Sequence, residues 1–164
     1  MGQFASKWDS TQCDIISDIT NIPAKTSSFD FILCTEVLDH LPEPSLALRE
    51  LTRLVKHSGY IFVTVPFACS AHQEPFFYSS GYSRQWFELF ADRFRLEIVN
   101  IIEYGSYLSK LTASLDRINS ILGSTPKVES SIANMNYIIR NNIEFLSLQF
   151  HHSPESLFVL LKKV

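Results

Sequence analysis

Apolar residues along this chain fall into two kinds of run. The first kind is short and continuous. CDII at 13–16, FDFILC at 29–34 and YIFVTV at 60–65 are apolar almost throughout. The run at 13–16 suits a buried strand, 29–34 is a second strand candidate, and 60–65 reads as a strand covered on both faces of a parallel sheet. The pattern predicts parallel strands over about 13–17, 29–34 and 60–65. FRLEIVNIIEY at 94–104 and LFVLLKK at 157–163 predict two more. The second kind recurs every three or four positions. Leu48, Leu51, Leu54 and Val55 give one apolar face to a helix predicted over about 45–56. Pro42 and Pro44 punctuate its start, where a missing N–H goes unnoticed. Lys56 and His57 suit the dipole of its last turn, and Gly59 is a stop signal. Ser83 is placed to cap a helix carrying Trp86, Phe87, Leu89 and Phe90. Two further helices are expected at about 107–122 and 131–148. Strands alternating with helices make this an α/β layered domain.

Composition narrows the class. The chain has 164 residues, 46% of them hydrophobic and 19% charged, which suits one globular domain. The net charge of −3 and the absence of any Lys/Arg run argue against nucleic acid as a partner. No apolar run approaches the roughly 20 residues a membrane span needs. Cys13, Cys34 and Cys69 are widely spaced and form no CxxC pair, so a reduced, cytoplasmic protein is expected. The opening MGQFASKWDSTQ lacks the pattern of a signal peptide. Its Gly2 and Ser6 match a myristoylation start, without the polybasic stretch that would support one.

The order of signals between Asp14 and Phe67 is more specific. Asp18 ends a strand and Pro23 follows five residues on. Ser28-Phe29-Asp30 precedes Glu36-Val37-Leu38-Asp39-His40-Leu41. Then come the proline pair, the helix with Arg49-Glu50-Leu51, the Gly59 turn and a strand ending in Pro66-Phe67. In order and spacing this stretch resembles the methyltransferase type 11 group of class I S-adenosylmethionine-dependent methyltransferases. The loop HQEPFFYSSGYS at 72–83 is similar to a His-x-Glu-Pro loop of one branch of that group. That branch often has an Asp and an Arg where this chain has Phe77 and Ser80 or Gly81. The resemblance implies a Rossmann-like methyltransferase sheet with flanking helices and a C-terminal antiparallel strand pair. Strand 157–163 would lie between 94–104 and 60–65, and the helices at about 107–149 would be an insertion in a single domain, 1–164. It also implies S-adenosyl-L-methionine as cofactor and a small-molecule methyl acceptor.

Site residues follow from the strand ends, since open α/β sheets bind ligands beyond their carboxyl ends. Asp18 can accept a hydrogen bond from an adenine amino group, or only cap a turn. Ile19 offers the ring a backbone N–H and an apolar wall. The resemblance puts Thr35 and Glu36 against the methionine part of the cofactor. His40 is a capping histidine or a base. His72 and Glu74 sit where an acceptor would approach, as a base or as a structural loop pair. Phe76, Phe77, Tyr78 and Tyr82 line an acceptor pocket or belong to the core. Cys34 is expected to pack as a small apolar residue, not to act as a thiol nucleophile with His40. Cys69, His72 and Glu74 carry ligand-type side chains, but no second cluster stands at a metal spacing, so no metal is predicted.

Two expected parts are missing from the sequence. Class I domains use a glycine-rich turn for the cofactor and an acidic residue for its ribose. The five glycines, Gly2, Gly59, Gly81, Gly105 and Gly123, form no GxG turn. Residues 4–8 are a candidate remnant of the second strand, and no acid is expected in the ribose position. The chain is therefore expected to be an N-terminally truncated domain, or a non-catalytic remnant acting by association. A nicotinamide dehydrogenase shares the layered pattern, but no GxGxxG is present.

Overall fold

The computed structural model describes residues 13–105, 107–122, 126–141 and 155–164. Its elements in chain order are β1 (Phe29–Thr35), α1 (Pro44–Leu54), β2 (Val55–Pro66), α2 (Arg84–Phe94), β3 (Leu96–Tyr104), α3 (Tyr107–Leu122), α4 (Pro126–Asn141) and β4 (Ser156–Lys163). The strands form one open sheet in the order β1-β2-β4-β3. β1 and β2 run parallel, with Ile32 opposite Ile61 and Cys34 opposite Val63. β4 enters between β2 and β3, antiparallel to both, with Val159 opposite Val63 and Ile101. The predicted C-terminal strand pair is therefore present and correctly placed.

The core sits on the two central strands. Ile61, Val63 and Val65 of β2 and Val159 and Leu161 of β4 are fully buried, with Ala47 and Leu48 of α1 and Phe87 of α2 packed over them. α1 packs on β2 and α2 on β3, and the two helices touch. Ser83 caps α2 as predicted, its side chain accepting from the Trp86 N–H. α3 has the predicted bounds and packs against α4.

The structure corrects three expectations. First, residues 13–17 form no strand and are exposed. The chain just beyond them lies on α1, not on the sheet. Glu50 accepts from the Ile22 N–H at 2.8 Å, while Arg53 donates to the carbonyls of Ile22 and Ala24 at 3.0 and 2.9 Å. Backbone groups of this following loop are thus satisfied by two helix side chains. Strand β1 is not covered on both faces: Phe31 is 54% and Leu33 62% exposed. Among the described residues β1 is the edge of the sheet, with β2 alone beside it. Second, α1 stops at Leu54 and residues 55–59 open β2 instead. Lys56, expected in the last helical turn, reaches across to Asp30 at 2.8 Å. Gly59 serves a close approach, since a Cβ there would lie 2.8 Å from the Asp30 carbonyl oxygen. Third, the last helix starts at Pro126, not near Ser131, because proline suits a first helical position. The expected end of that helix, 142–148, lies outside the described residues.

Candidate functional site

The site is built where β1 and β2 end. After Thr35 the chain turns at Glu36, which adopts a left-handed φ of 52°. Its N–H donates to the Thr64 carbonyl at 3.0 Å, and its carboxylate accepts from the Thr64 hydroxyl at 2.8 Å. Both bonds tie the turn to the neighbouring strand. A short 3₁₀ turn, Leu38–His40, follows. Leu38 is fully buried and draws Asp39, only 1% exposed, under the surface with it.

The loop after β2 is stitched back onto that turn. Tyr78 and Ser79 donate their N–H groups to the Asp39 carbonyl at 2.9 and 3.1 Å. The Tyr82 N–H returns to the Pro66 carbonyl at 2.9 Å, and the Cys69 N–H meets the Ser80 carbonyl at 2.6 Å. The Tyr82 hydroxyl donates to the Leu38 carbonyl at 2.7 Å, and burial pushes its ionisation up to about 12. Gly81 is required here, because a Cβ would come within 1.9 Å of the Phe67 carbonyl oxygen.

This stitching gathers His40, His72 and Asp39. The two imidazoles meet edge to face at 4.9 Å, and Phe77 leans on His72 at 5.1 Å. Asp39 Oδ2 lies 3.4 Å from His40 Nε2 and 3.6 Å from His72 Nε2. Neither carboxylate oxygen of Asp39 accepts a hydrogen bond from the protein. An unpaired buried carboxylate is costly, so the cluster needs a further partner or a proton.

The predicted residues separate into two cavities and a remainder. Glu36 and His72 line one cavity of about 470 Å³ together with Pro66, Cys69, Ala113 and Glu155. Ile19 and Thr35 line another of about 430 Å³, walled by Phe29, Phe31, Leu33 and Val37. Asp18 is exposed, and its Oδ1 accepts from both the N–H and the hydroxyl of Thr20, which hold its carboxyl below the usual range. Asp18 thus already closes a turn. Glu74 is exposed and lines neither cavity. Tyr78 and Tyr82 border a third cavity of about 500 Å³ with Trp86, whereas Phe76 is exposed. Cys34 is buried and its thiol is pushed up to about 11, so it packs and does not react.

Sequence reasoning undervalued Asp39. The signal was available: Asp39 stands between Leu38 and Leu41 directly after a predicted strand, so one face of that turn had to point inward. It also missed the Glu36–Thr64 pair, which depends on strand register.

Comparison with known proteins bears on the class. Residues 3–63 match the family model described as "Methyltransferase domain". The ubiquinone biosynthesis O-methyltransferase of Xanthomonas oryzae pv. oryzae is 40% identical over 40 residues, 24% of this chain and 17% of the relative. The chain therefore matches under a fifth of that relative's length. An S-adenosylmethionine-dependent methyltransferase of Archaeoglobus fulgidus superposes with a TM-score of 0.52 at 18% identity, covering 85% of this chain and 61% of the other. The [4+2]-cyclase SpnF superposes with a TM-score of 0.51 at 17% identity, covering 90% and 54%.

The fold is thus the Rossmann-like α/β sheet of the class I methyltransferases. The resemblance to S-adenosylmethionine-dependent methyltransferases holds in fold over most of the chain and in sequence over residues 3–63. The cyclase on the same fold is a reminder that fold does not fix the reaction.

Proposed function

We propose that this chain serves methyl transfer from S-adenosyl-L-methionine to the hydroxyl of a small molecule. The observation that carries the reading is the meeting of Glu36 and His72 in one cavity at the carboxyl ends of β1 and β2. The match over residues 3–63 and the O-methyltransferase relative support it. S-adenosyl-L-methionine supplies an electrophilic methyl group when bound. Asp18 and Ile19 would hold the adenine, and Thr35 and Glu36 the methionine part. The acceptor oxygen attacks in line, the sulfur–carbon bond breaks, and S-adenosylhomocysteine leaves. His72 takes the acceptor's proton on Nε2, because the Ser70 carbonyl, 3.0 Å from Nδ1, fixes the other nitrogen as the donor. Glu74, predicted beside it, stays at the rim of the loop and is assigned no proton.

The test is labelled methyl transfer from S-adenosylmethionine to catechol, a probe hydroxyl acceptor, with amide NMR of the chain titrated with S-adenosylhomocysteine. Shifts clustered at 18–20 and 35–37, with a loss of about 10²–10⁴-fold in rate for Glu36→Gln or His72→Ala, are expected. No shifts at millimolar ligand, or shifts elsewhere, would sink the reading. A second reading, a non-catalytic domain acting by association, is favoured by one observation: the cavity bearing Ile19 and Thr35 lacks any GxG turn in this sequence and is walled by exposed Phe31 and Leu33. Labelled methyl transfer to the probe above the no-enzyme background rules it out.

A further inference from the structure

We propose that Asp39, Cys69 and His72 form a zinc(II) site beside the Glu36 cavity, whose wall Cys69 and His72 line. One carboxylate oxygen, one sulfur and one imidazole nitrogen of these residues all lie within 4.8 Å of one another. They come from three separate places in the sequence, the turn after β1 and two points of the loop after β2. The hydrogen bonds from Tyr78 and Ser79 to the Asp39 carbonyl hold those segments together.

Two independent observations point to a cation. Asp39 is 1% exposed, and both of its carboxylate oxygens lack a hydrogen-bond donor. The histidines facing it are also locked in one tautomer. His72 Nδ1 lies against the Ser70 carbonyl and His40 Nδ1 against the Phe76 carbonyl. A carbonyl oxygen only accepts, so each Nδ1 carries a hydrogen; where the ring is neutral, Nε2 then turns a lone pair toward Asp39, free to bind a metal. Lone pairs then face a carboxylate at 3.4 and 3.6 Å. A proton held between them would draw the atoms to about 2.7–3.2 Å. Ligands of a tetrahedral zinc ion, each about 2.0–2.3 Å from the metal, stand about 3.3–3.8 Å apart. Among the three ligands, the Asp39–His72 separation of 3.6 Å lies in that second range, and the distances to Cys69 stay within 4.8 Å. An Nδ1–H fixed by a backbone carbonyl is also the usual support of a metal-binding imidazole.

The donor set chooses the metal. Sulfur and nitrogen beside a single carboxylate suit zinc, whereas magnesium and calcium prefer oxygen alone. On binding, the Cys69 thiol releases its proton to solvent and the thiolate gives an electron pair to the ion; no redox change occurs. Three protein ligands leave a fourth position for water or an acceptor hydroxyl, which the ion acidifies. Binding of the ion stands apart from the methyl-transfer reading. The role of the fourth position rests on it, and in the zinc form His72 is a ligand, not the base.

The experiment uses the tag-free 164-residue chain, stripped with a chelator and dialysed against zinc. Metal content by mass spectrometry should reach about one zinc per chain. Cobalt(II) in place of zinc should give intense tetrahedral absorption together with a thiolate charge-transfer band. Cys69→Ser should abolish that band, and His72→Ala and Asp39→Asn should each weaken zinc binding by at least about 100-fold. Two control variants, His57→Ala and the double change of His151 and His152 to Ala, should keep it. Circular dichroism separates loss of the site from loss of the fold, and the wild-type cobalt spectrum does not depend on any variant. Wild-type protein that binds well under one zinc with no cobalt spectrum overturns the proposal. So does zinc that survives Cys69→Ser and His72→Ala, or that leaves with His151 and His152. None of these outcomes involves S-adenosylmethionine, so the site can fail while methyl transfer stands.

Discussion

At the residue scale, buried polar groups decide what this protein can do. Asp39 and Glu50 are both acidic and buried, yet they differ in company. Glu50 receives two hydrogen bonds from Arg53, at 2.6 and 2.8 Å, and one from the Ile22 N–H. Those bonds, Arg53's first, hold the Glu50 carboxyl below the ordinary carboxylate range. The folded value lies below the unfolded one, so the stabilisation is present above the unfolded value and is lost as pH falls through the folded one. Glu50→Gln should therefore cost about 1–3 kcal/mol at neutral pH, and the gap from wild type should close on acidification. Urea melts at stepped pH check this; a gap that widens in acid would contradict it. Asp39 has no such donor, which is why its role is sought in a cation and not in stability.

At the element scale, the loop between β2 and α2 does most to shape the site. Its course depends on Gly81, whose missing Cβ lets residues 81 and 67 touch. Gly81→Ala should cost about 1–3 kcal/mol by overpacking. It should also speed hydrogen exchange at the Cys69 and Tyr82 amides, whose partners are Ser80 and Pro66. Unchanged exchange at both amides would show that the loop is held by other contacts. Helix α1 has a second task besides covering β2. Through Glu50 and Arg53 it fastens residues 22–26, and so carries the turn bearing Asp18.

At the scale of the whole molecule, the sheet is strong at its centre and open at β1. Leu161, fully buried on β4, should lose about 2–5 kcal/mol on change to Ala. Leu33→Lys, at a position 62% exposed, should stay within about 0.5 kcal/mol. Thermal melts of the two variants side by side test this contrast; equal losses would mean that β1 is covered in solution. The same openness bears on the cofactor. Each lost hydrogen bond to a charged group costs about 1.5–3 kcal/mol, so if the glycine turn and the ribose acid are lacking, two or three such losses would weaken binding by roughly a hundredfold to several million-fold. The 164-residue chain should therefore show S-adenosylmethionine affinity well short of micromolar by calorimetry. A micromolar constant would mean that other residues replace the glycine turn.

What the sequence determined by itself was the periodic part. Runs such as 60–65 and 157–163 are apolar enough to demand burial, and Pro44 and Ser83 carry their conformational reasons with them. From these came the strands β1 to β4, the helices α1 to α3 and the resemblance over 14–67. Tertiary structure alone decided the rest. That 13–17 form no strand is a finding of the structure, not of the apolar run. Whether 29–34 was covered depended on its place at the edge. The meeting of Asp39 with Cys69 and His72 rests on register and on a loop folding back over 30 residues of sequence, which no local pattern records. Periodicity reports burial; it does not report which buried groups face one another.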